Sequence, residues 1–342
     1  MRTEHVLRVG DSRASELADE SVDLVITSPP YPMIEMWDEQ FAALSPQVRE
    51  ALEDGRGDDA FDGMHTLLDA VWDEVERVLR PSGIACVNVG DATRSLGGQF
   101  QCFPNHARIT RAFRERGFTS LPTVLWRKPT NRLTKFMGSG MLPTNAYVTL
   151  EHEHVLVFRK GPRRRFPPHD ESRYESAFFW EERNRWFSDL WELPGASQAR
   201  DGDGRDRAGS FPLDLPLRLV RMYSTYGDCV YDPFVGTGTT ALAAMLAGRD
   251  SRGTELEAEL LEEFDARLEG LPDRANQRLD ARLDRHRAFV RERGEPLEYD
   301  AVHYDFPVVT KQERHVRFYD VTGVETTGGG SERRYVVSYE PR

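Results

Sequence analysis

Two stretches of the chain carry residue types that could do chemistry. The first is Thr27-Ser28-Pro29-Pro30-Tyr31, which follows the apolar run Val22-Asp23-Leu24-Val25-Ile26. That run reads as a buried strand. A strand running into two prolines must stop there, because neither has an N–H and each restricts the residue before it. The resulting stiff turn offers a small hydroxyl, backbone carbonyls without ladder partners and one aromatic ring. Such a set suits a planar base with an exocyclic amino group: the Ser28 hydroxyl and a carbonyl accept its two N–H donors, and Tyr31 stacks on its face. Taken alone, the pentapeptide also fits a proline turn with a packing tyrosine.

The second stretch is Asp228-Cys229-Val230-Tyr231-Asp232-Pro233-Phe234-Val235-Gly236-Thr237-Gly238-Thr239-Thr240. It reads as a strand, a glycine turn and a helix from Thr239 to Leu246 ended by Gly248. The two glycines let backbone approach a ligand at a helix N-terminus. Thr240 stands where a dinucleotide fingerprint would place its third glycine, which disfavours a pyrophosphate ligand. Glu255 lies seventeen residues beyond Gly238, at the end of a short strand, Ser251 to Thr254. A carboxylate there can accept both hydroxyls of a ribose.

The elements that must position these turns alternate between strand and helix. Val6 to Val9 reads as a strand, and a helix over Ala14 to Ala18 leads into the strand ending at Ser28. Residues 33–63, acidic and glycine-containing, read as a mobile insertion over the site. Met64 to Leu79 has one apolar face and reads as a helix stopped by Pro81-Ser82-Gly83, before a strand from Ile84 to Val89. A helix over Asn105 to Arg116 and strands over Phe118 to Trp126 and Val155 to Phe158 follow. From Gly161 to Gly209 the periodicity is lost and bases mix with Tyr174, Phe178, Phe179, Trp180, Trp186, Phe187 and Trp191. That mixture fits a nucleic-acid-reading surface or a small aromatic core under loops. Helices over Leu213 to Tyr226, Leu256 to Leu268 and Asp273 to Arg293 precede a hairpin, His315 to Val321 with Arg334 to Tyr339, which reads as a small appended unit.

The 342 residues carry a net charge of −12, unusual for a chain that meets phosphates. Only Lys128, Lys135, Lys160 and Lys311 are lysines and 41 residues are arginine, a composition that suggests salt adaptation. The charge is uneven: residues 1–102 hold 20 acids against 8 bases, whereas 103–165 hold 13 bases against 3 acids. Within that basic middle, Arg127, Lys128, Arg132, Lys135, Arg163, Arg164 and Arg165 are the candidate DNA contacts. Cys86, Cys102 and Cys229 fit no metal-ligand spacing, and no metal site is expected. No Pro-Cys dipeptide occurs, so the thiolate of a cytosine-C5 methylase is missing. With no membrane-spanning run and no signal segment, a cytoplasmic protein is expected.

Together, TSPPY early and DPFVGTGTT late resemble the β-class amino-methyltransferases of DNA, over roughly residues 5 to 260. Gly10-Asp11, Val89-Gly90-Asp91, His154 to Lys160 and Phe211-Pro212 resemble further family segments. The resemblance implies an α/β, Rossmann-like methyltransferase fold with a seven-stranded, mostly parallel sheet. It implies S-adenosyl-L-methionine as cofactor, held by Asp232, Phe234, Gly236, Thr237 and Gly238, with Glu255 on the ribose, Asp11 near the adenine and Phe211 at the methionine end. Ser28, Pro29, Pro30 and Tyr31 would grip a base flipped from double-stranded DNA. Serine at the first motif position favours cytosine N4 over adenine N6 as acceptor. The whole pattern is similar to haloarchaeal N4-cytosine enzymes acting on CTAG. It divides the chain into 1–160 with the base motif, a target-recognition segment 161–209, a cofactor part 210–270 and an extension 271–342. A cognate restriction endonuclease is an implied partner, and monomer and homodimer both remain open. An RNA or protein-amide methylase and a catalytically dead DNA-binding module are the rival readings.

Overall fold

The apolar run before Ser28 forms a strand buried at all six positions, Val22–Thr27, as expected where helices cover both faces of a parallel sheet. The computed structural model describes residues 1–128, 137–195 and 211–342. Its central sheet has eleven strands, numbered here in chain order: β1 (Arg2–Val9), β2 (Val22–Thr27), β3 (Leu79–Val89), β4 (Phe118–Ser120), β5 (Val124–Arg127), β6 (His152–Lys160), β7 (Leu190–Glu192), β8 (Cys229–Asp232), β9 (Asp250–Glu255), β10 (Tyr319–Gly329) and β11 (Glu332–Pro341). Their spatial order is β7-β5-β6-β3-β2-β8-β9-β1-β11-β10, with β4 beside β6. The five middle strands, β3 to β1, are parallel. Antiparallel partners close both sides, β6 on β3 and β11 on β1.

The helices are α1 (Asp38–Leu44), α2 (Pro46–Glu53), α3 (Gly57–Val78), α4 (Asn105–Glu115), α5 (Glu171–Glu175), α6 (Trp180–Trp186), α7 (Asp214–Tyr223), α8 (Thr239–Ala247), α9 (Ala258–Arg267) and α10 (Leu271–Arg293). Alternate residues of β2 serve two cores. Val22 and Val25 pack with Trp72 and Val75 of α3 and Phe113 of α4. Leu24 and Ile26 pack with Leu215 and Leu219 of α7 and Ala243 and Ala244 of α8. Among the described residues, no helix is long and apolar enough to cross a membrane.

Four expectations are corrected. The expected helix over Ala14 to Ala18 is a single 3-10 turn, Ser12–Ala14, capped by Asp11; Ser15 is already extended, which ends the turn there. Residues 33–63 are not a bare insertion but fold as α1, α2 and the first turns of α3, burying Phe41, Val48, Ala51 and Ala60. Ser45 caps α2, whose first position is Pro46, and the acids that suggested a loop lie mostly on the outer faces. The stretch Phe118 to Trp126 is two short strands on different parts of β6. Finally, the sheet has eleven strands where seven were expected. The C-terminal hairpin is no separate unit and adds two, β11 pairing with β1 from Arg2↔Ser338 to Arg8↔Glu332, and the short strands β4 and β7 add two more.

The segment 161–209 contributes to the body of the protein in its described part. Its β7 is an edge strand beside β5. Phe179 is fully buried, stacked on His286 of α10 at 3.8 Å and packed against Phe306 and Phe318. For Phe179, Trp186 and Trp191 the aromatic-core reading is the observed one. The glycine and charge cluster 201–205 lies outside the described residues.

Candidate active site

In a parallel sheet the loops that follow the strands converge at one edge, and ligands gather there. The two chemical stretches meet at that edge. β2 and β8 are neighbours, with Leu24 opposite Val230, so the turn after Thr27 and the turn after Asp232 lie side by side. One buried hydrogen bond joins them: Thr27 Oγ1 donates to Asp232 Oδ1 at 2.7 Å, across 205 residues of chain. A single cavity is lined by Ser28 and Pro30 from the first turn and by Asp232, Phe234, Gly236 and Thr237 from the second, with Phe211 and Glu255. Trp37 and Gln40 from the segment 33–63 complete its wall, two residues that sequence reasoning missed. Their only sequence signal is an aromatic and an amide within an acidic run. A second concavity, sharing Pro30, Gln40, Phe234 and Glu255, extends to Gly10 and Asp11.

The glycine turn is built by steric necessity. Gly236 and Gly238 have φ of +54° and +78°, the left-handed region that side chains disfavour. A Cβ on Gly238 would stand 2.2 Å from the Phe264 ring. Glu255, ending β9, accepts from the Gly236 N–H at 2.6 Å and from the Glu257 N–H at 3.0 Å. Burial pushes the acidity of both carboxylates in the turn. Asp232 is raised to about 6 despite the hydrogen bonds that it accepts from Thr27 and from the Phe234 N–H. Glu255 is raised too, for the same reason. Asp11 differs. Its carboxylate is held by Arg13, which lowers it below the usual carboxylate range.

Around Ser28 the polar atoms form a chain of hydrogen bonds. Ser28 is half-buried and its Oγ lies 2.8 Å from the Tyr31 hydroxyl. Tyr31 donates to Glu153 Oε2 at 2.8 Å. Asn88 Nδ2 donates to both Tyr31 Oη, at 2.8 Å, and Glu153 Oε2, at 2.6 Å. Lys128 Nζ pairs with the other carboxylate oxygen, Oε1. Asn88 is the last residue but one of β3 and Glu153 the second of β6, and sequence reasoning selected neither. A buried carboxylate beside a buried amide shows only once β6 is seen to run antiparallel against β3. The Tyr31 ring is 6% exposed and belongs to the core over α3. Burial and the Glu153 charge push its phenol well above the ordinary range, so it keeps its proton.

The predicted DNA contacts are not all brought together. β5 and β6 are antiparallel, with Arg127 opposite His152, which places Arg127 and Lys128 at the edge that holds Ser28. Arg163, Arg164 and Arg165 follow the far end of β6 and line a cleft at the opposite edge, with Arg80, Arg159 and Arg221. There Arg164 forms a bidentate pair with Asp228 at 2.6 and 2.9 Å. Arg132 and Lys135 lie outside the described residues.

Asp91, His106 and His154 place ligand-type atoms within 4.8 Å of one another. The two rings are stacked, 4.1 Å apart and 15° from parallel. In-plane lone pairs of parallel rings run side by side, so one ion cannot lie on both without a ring turning. The Asp91 carboxylate instead accepts from the His106 N–H and faces its Nδ1 at 2.7 Å.

Comparison with known proteins agrees with this geometry. Residues 22–266 match the N6_N4_Mtase family, described as DNA methylase. The chain belongs to this family. It is 46% identical over 325 residues to the Type II methyltransferase M.MthZI of Methanothermobacter thermautotrophicus, covering 93% of this chain and 91% of that protein. It is 48% identical over 270 residues to the Type II methyltransferase M.MjaI of Methanocaldococcus jannaschii, covering 75% and 89%. The structure of Thermus thermophilus TTHA0409, crystallised with S-adenosyl-L-methionine, superposes with a TM-score of 0.62 at 32% identity, covering 78% of this chain and 94% of that one. The cytosine-N4-specific PvuII methyltransferase shares the fold, with a TM-score of 0.53 at 19% identity, covering 81% and 93%. This DNA methyltransferase therefore uses S-adenosyl-L-methionine. The cavity fits that cofactor: an open glycine bend, a carboxylate at a strand end for hydroxyls, and the rings of Phe211 and Phe234 for flat or apolar parts.

Proposed function

We propose that this methyltransferase transfers a methyl group to the exocyclic N4 of a cytosine flipped out of duplex DNA, within the site CTAG, for restriction-modification or marking of host DNA. The observation that carries the reading is the position of Ser28 Oγ. It lines the same cavity as Gly236 and Glu255 and is held by Tyr31, so an amine gripped there faces the cofactor side. S-adenosyl-L-methionine supplies a methyl carbon already activated on a sulfonium, and its transfer to an amine leaves a neutral thioether and releases one proton. The chain needs mainly to position the amine. Ser28 Oγ and the Pro29 carbonyl accept the two N–H bonds and draw the nitrogen lone pair out of conjugation. Asp232, Phe234, Gly236, Thr237, Gly238 and Glu255 hold the cofactor, with Phe211 and Asp11 at its two ends. The Tyr31 ring is buried in the core over α3 and outside the cavity lining, so its part is to hold Ser28 Oγ rather than to stack on the base. Arg127 and Lys128 sit where a phosphate backbone would pass.

Serine rather than a carboxylate or amide at the head of the motif favours cytosine N4 over adenine N6. Single-molecule sequencing of DNA from a host expressing the protein tests base and context together. N4-methylcytosine in CTAG is the expected result, and N6-methyladenine would replace the first half of the proposal. Label transferred from S-adenosyl-L-methionine only to RNA or protein would overturn it.

A further inference from the structure

The direction of each hydrogen bond around Ser28 follows from counting protons. The carboxylate of Glu153 can only accept, and it is ringed by donors: Lys128 at Oε1, Tyr31 and Asn88 at Oε2. The phenol of Tyr31 has one proton, and it donates that proton's hydrogen bond to Glu153. The two Asn88 Nδ2 hydrogens go to Glu153 and to Tyr31 Oη. Turning the amide over would set oxygen against oxygen, so it stays as it is although Asn88 Oδ1 is left buried without a partner among the described residues. With its own proton committed, Tyr31 Oη can meet Ser28 only as an acceptor. Ser28 must donate inward, and only a long approach of Asn88 Nδ2, at 3.5 Å, competes with the cavity for the lone pairs of its Oγ.

We propose that Glu153 is a positioning residue that, through Tyr31, fixes Ser28 as a pure hydrogen-bond acceptor and so selects an amine in the base pocket. The inference rests on the function proposed above and extends it to residues that do not touch the base. A hydroxyl free to rotate would spend part of its time donating into the pocket, which repels an N–H. A hydroxyl with its proton tied behind it presents only lone pairs. Lys128, counted from sequence among the DNA contacts, has a second task here, since it holds Oε1 and obliges the group at position 153 to present an acceptor to it.

That last point makes the proposal testable with substitutions of nearly constant shape. In Glu153→Gln, Lys128 demands the amide oxygen, so the amide NH2 faces Tyr31. That NH2 also faces Asn88 Nδ2, which donates to position 153 in the wild type. The substitution is therefore made in an Asn88→Ala background, where no second amide can turn over to take the Tyr31 proton, and rates are read against Asn88→Ala alone. There Tyr31 must accept from position 153 and donate to Ser28, whose proton swings into the pocket. Methyl transfer in a single turnover, at saturating duplex DNA and S-adenosyl-L-methionine, is expected to fall about a hundredfold, the scale of a lost preorganised hydrogen bond. The Kd for cofactor is expected to stay within about threefold of wild type on the same grounds. Adding Lys128→Met frees the glutamine to turn its oxygen toward Tyr31, and K128M/E153Q should regain at least about tenfold of the lost rate. A purely structural or charge-based role predicts no such recovery. In the Asn88→Ala background, an E153Q rate near that of Asn88→Ala, or a K128M/E153Q rate no faster than E153Q, overturns the proposal. If E153Q does not fold, Tyr31→Phe removes the acceptor for the Ser28 proton, and a rate lower by about tenfold is expected; an unchanged rate overturns the proposal. Failure of the underlying function is separate: the wild-type chain itself would then transfer no methyl group to duplex DNA.

Discussion

The two edges of the central sheet are built from opposite materials. At the edge that follows β2 and β8, the pocket around Ser28 and Gly236 is built mainly of buried carboxylates, hydroxyls and backbone N–H groups paired with one another, with Arg127 and Lys128 at its border. At the other edge, arginines crowd an open cleft beside Asp23 and Glu313. Along the sequence four of these arginines, Arg159, Arg163, Arg164 and Arg165, belong to one basic stretch with Arg127 and Lys128. The fold divides the stretch because β6 runs the full depth of the sheet, about 27 Å between its ends at 3.4 Å per residue. Charge that is continuous in the chain is therefore split between two surfaces. The lesson is that a basic run locates a nucleic-acid surface only after strand direction is known.

The sharpest way to break the comparison is Ser28→Ala. It takes one acceptor from the ordered edge, and kcat should fall by at least about a hundredfold while cofactor Kd, measured by calorimetry, stays near wild type. Loss of cofactor affinity with retained turnover would contradict the role given to Ser28. Glu255→Ala should act in reverse, raising cofactor Kd by about tenfold or more through loss of charge-assisted hydrogen bonds; an unchanged Kd would remove Glu255 from the site.

Asp232 offers a test through pH. Its folded pKa is about 6 against 3.8 when free, so between these values the folded protein binds more protons than the unfolded chain. Its contribution is favourable below about pH 4 and is lost as pH rises through about 6, a fall of about 3 kcal/mol from this group. Asp232→Asn removes that fall, and urea unfolding of the cofactor-free protein at pH 4.5 and pH 7 should show a smaller difference than in wild type. An unaltered pH dependence would mean that Asp232 ionises normally.

The smallest expected effect compares the edges directly. Arg127→Ala should lower DNA affinity and reduce the slope of log K against log salt by about one. The pair Arg163→Ala and Arg165→Ala, at the far edge, should change neither by much. Equal effects would show that the duplex reaches both edges.

Much of this was legible in the residues. The proline stop after Thr27, the Gly236 and Gly238 bend and the carboxylate of Glu255 are local features, set by φ restrictions and by strand ends, and the fold brings Ser28, Gly236 and Glu255 to one cavity. What was hidden is long-range. Asn88 and Glu153 matter only because an antiparallel strand follows a parallel one. Trp37 and Gln40 reach the cavity from helices and turns whose acidic outer faces masked their buried inner ones. The C-terminal hairpin was visible as a hairpin, but nothing in its alternation says which strand it will join.

That hairpin decides how the sheet meets its surroundings. Without β11, the outer side of β1 would show a row of unpaired N–H and C=O groups, the template on which copies of a chain stack. β11 covers that row, and β10 in turn becomes the rim. The rim is poorly suited to recruiting another strand: it is exposed over its second half, ends in glycines and carries a bulge between Val321 and Gly323. Guarding against strand-to-strand association thus falls to residues on the far side of the sheet from the base pocket, free to change with little consequence for the chemistry.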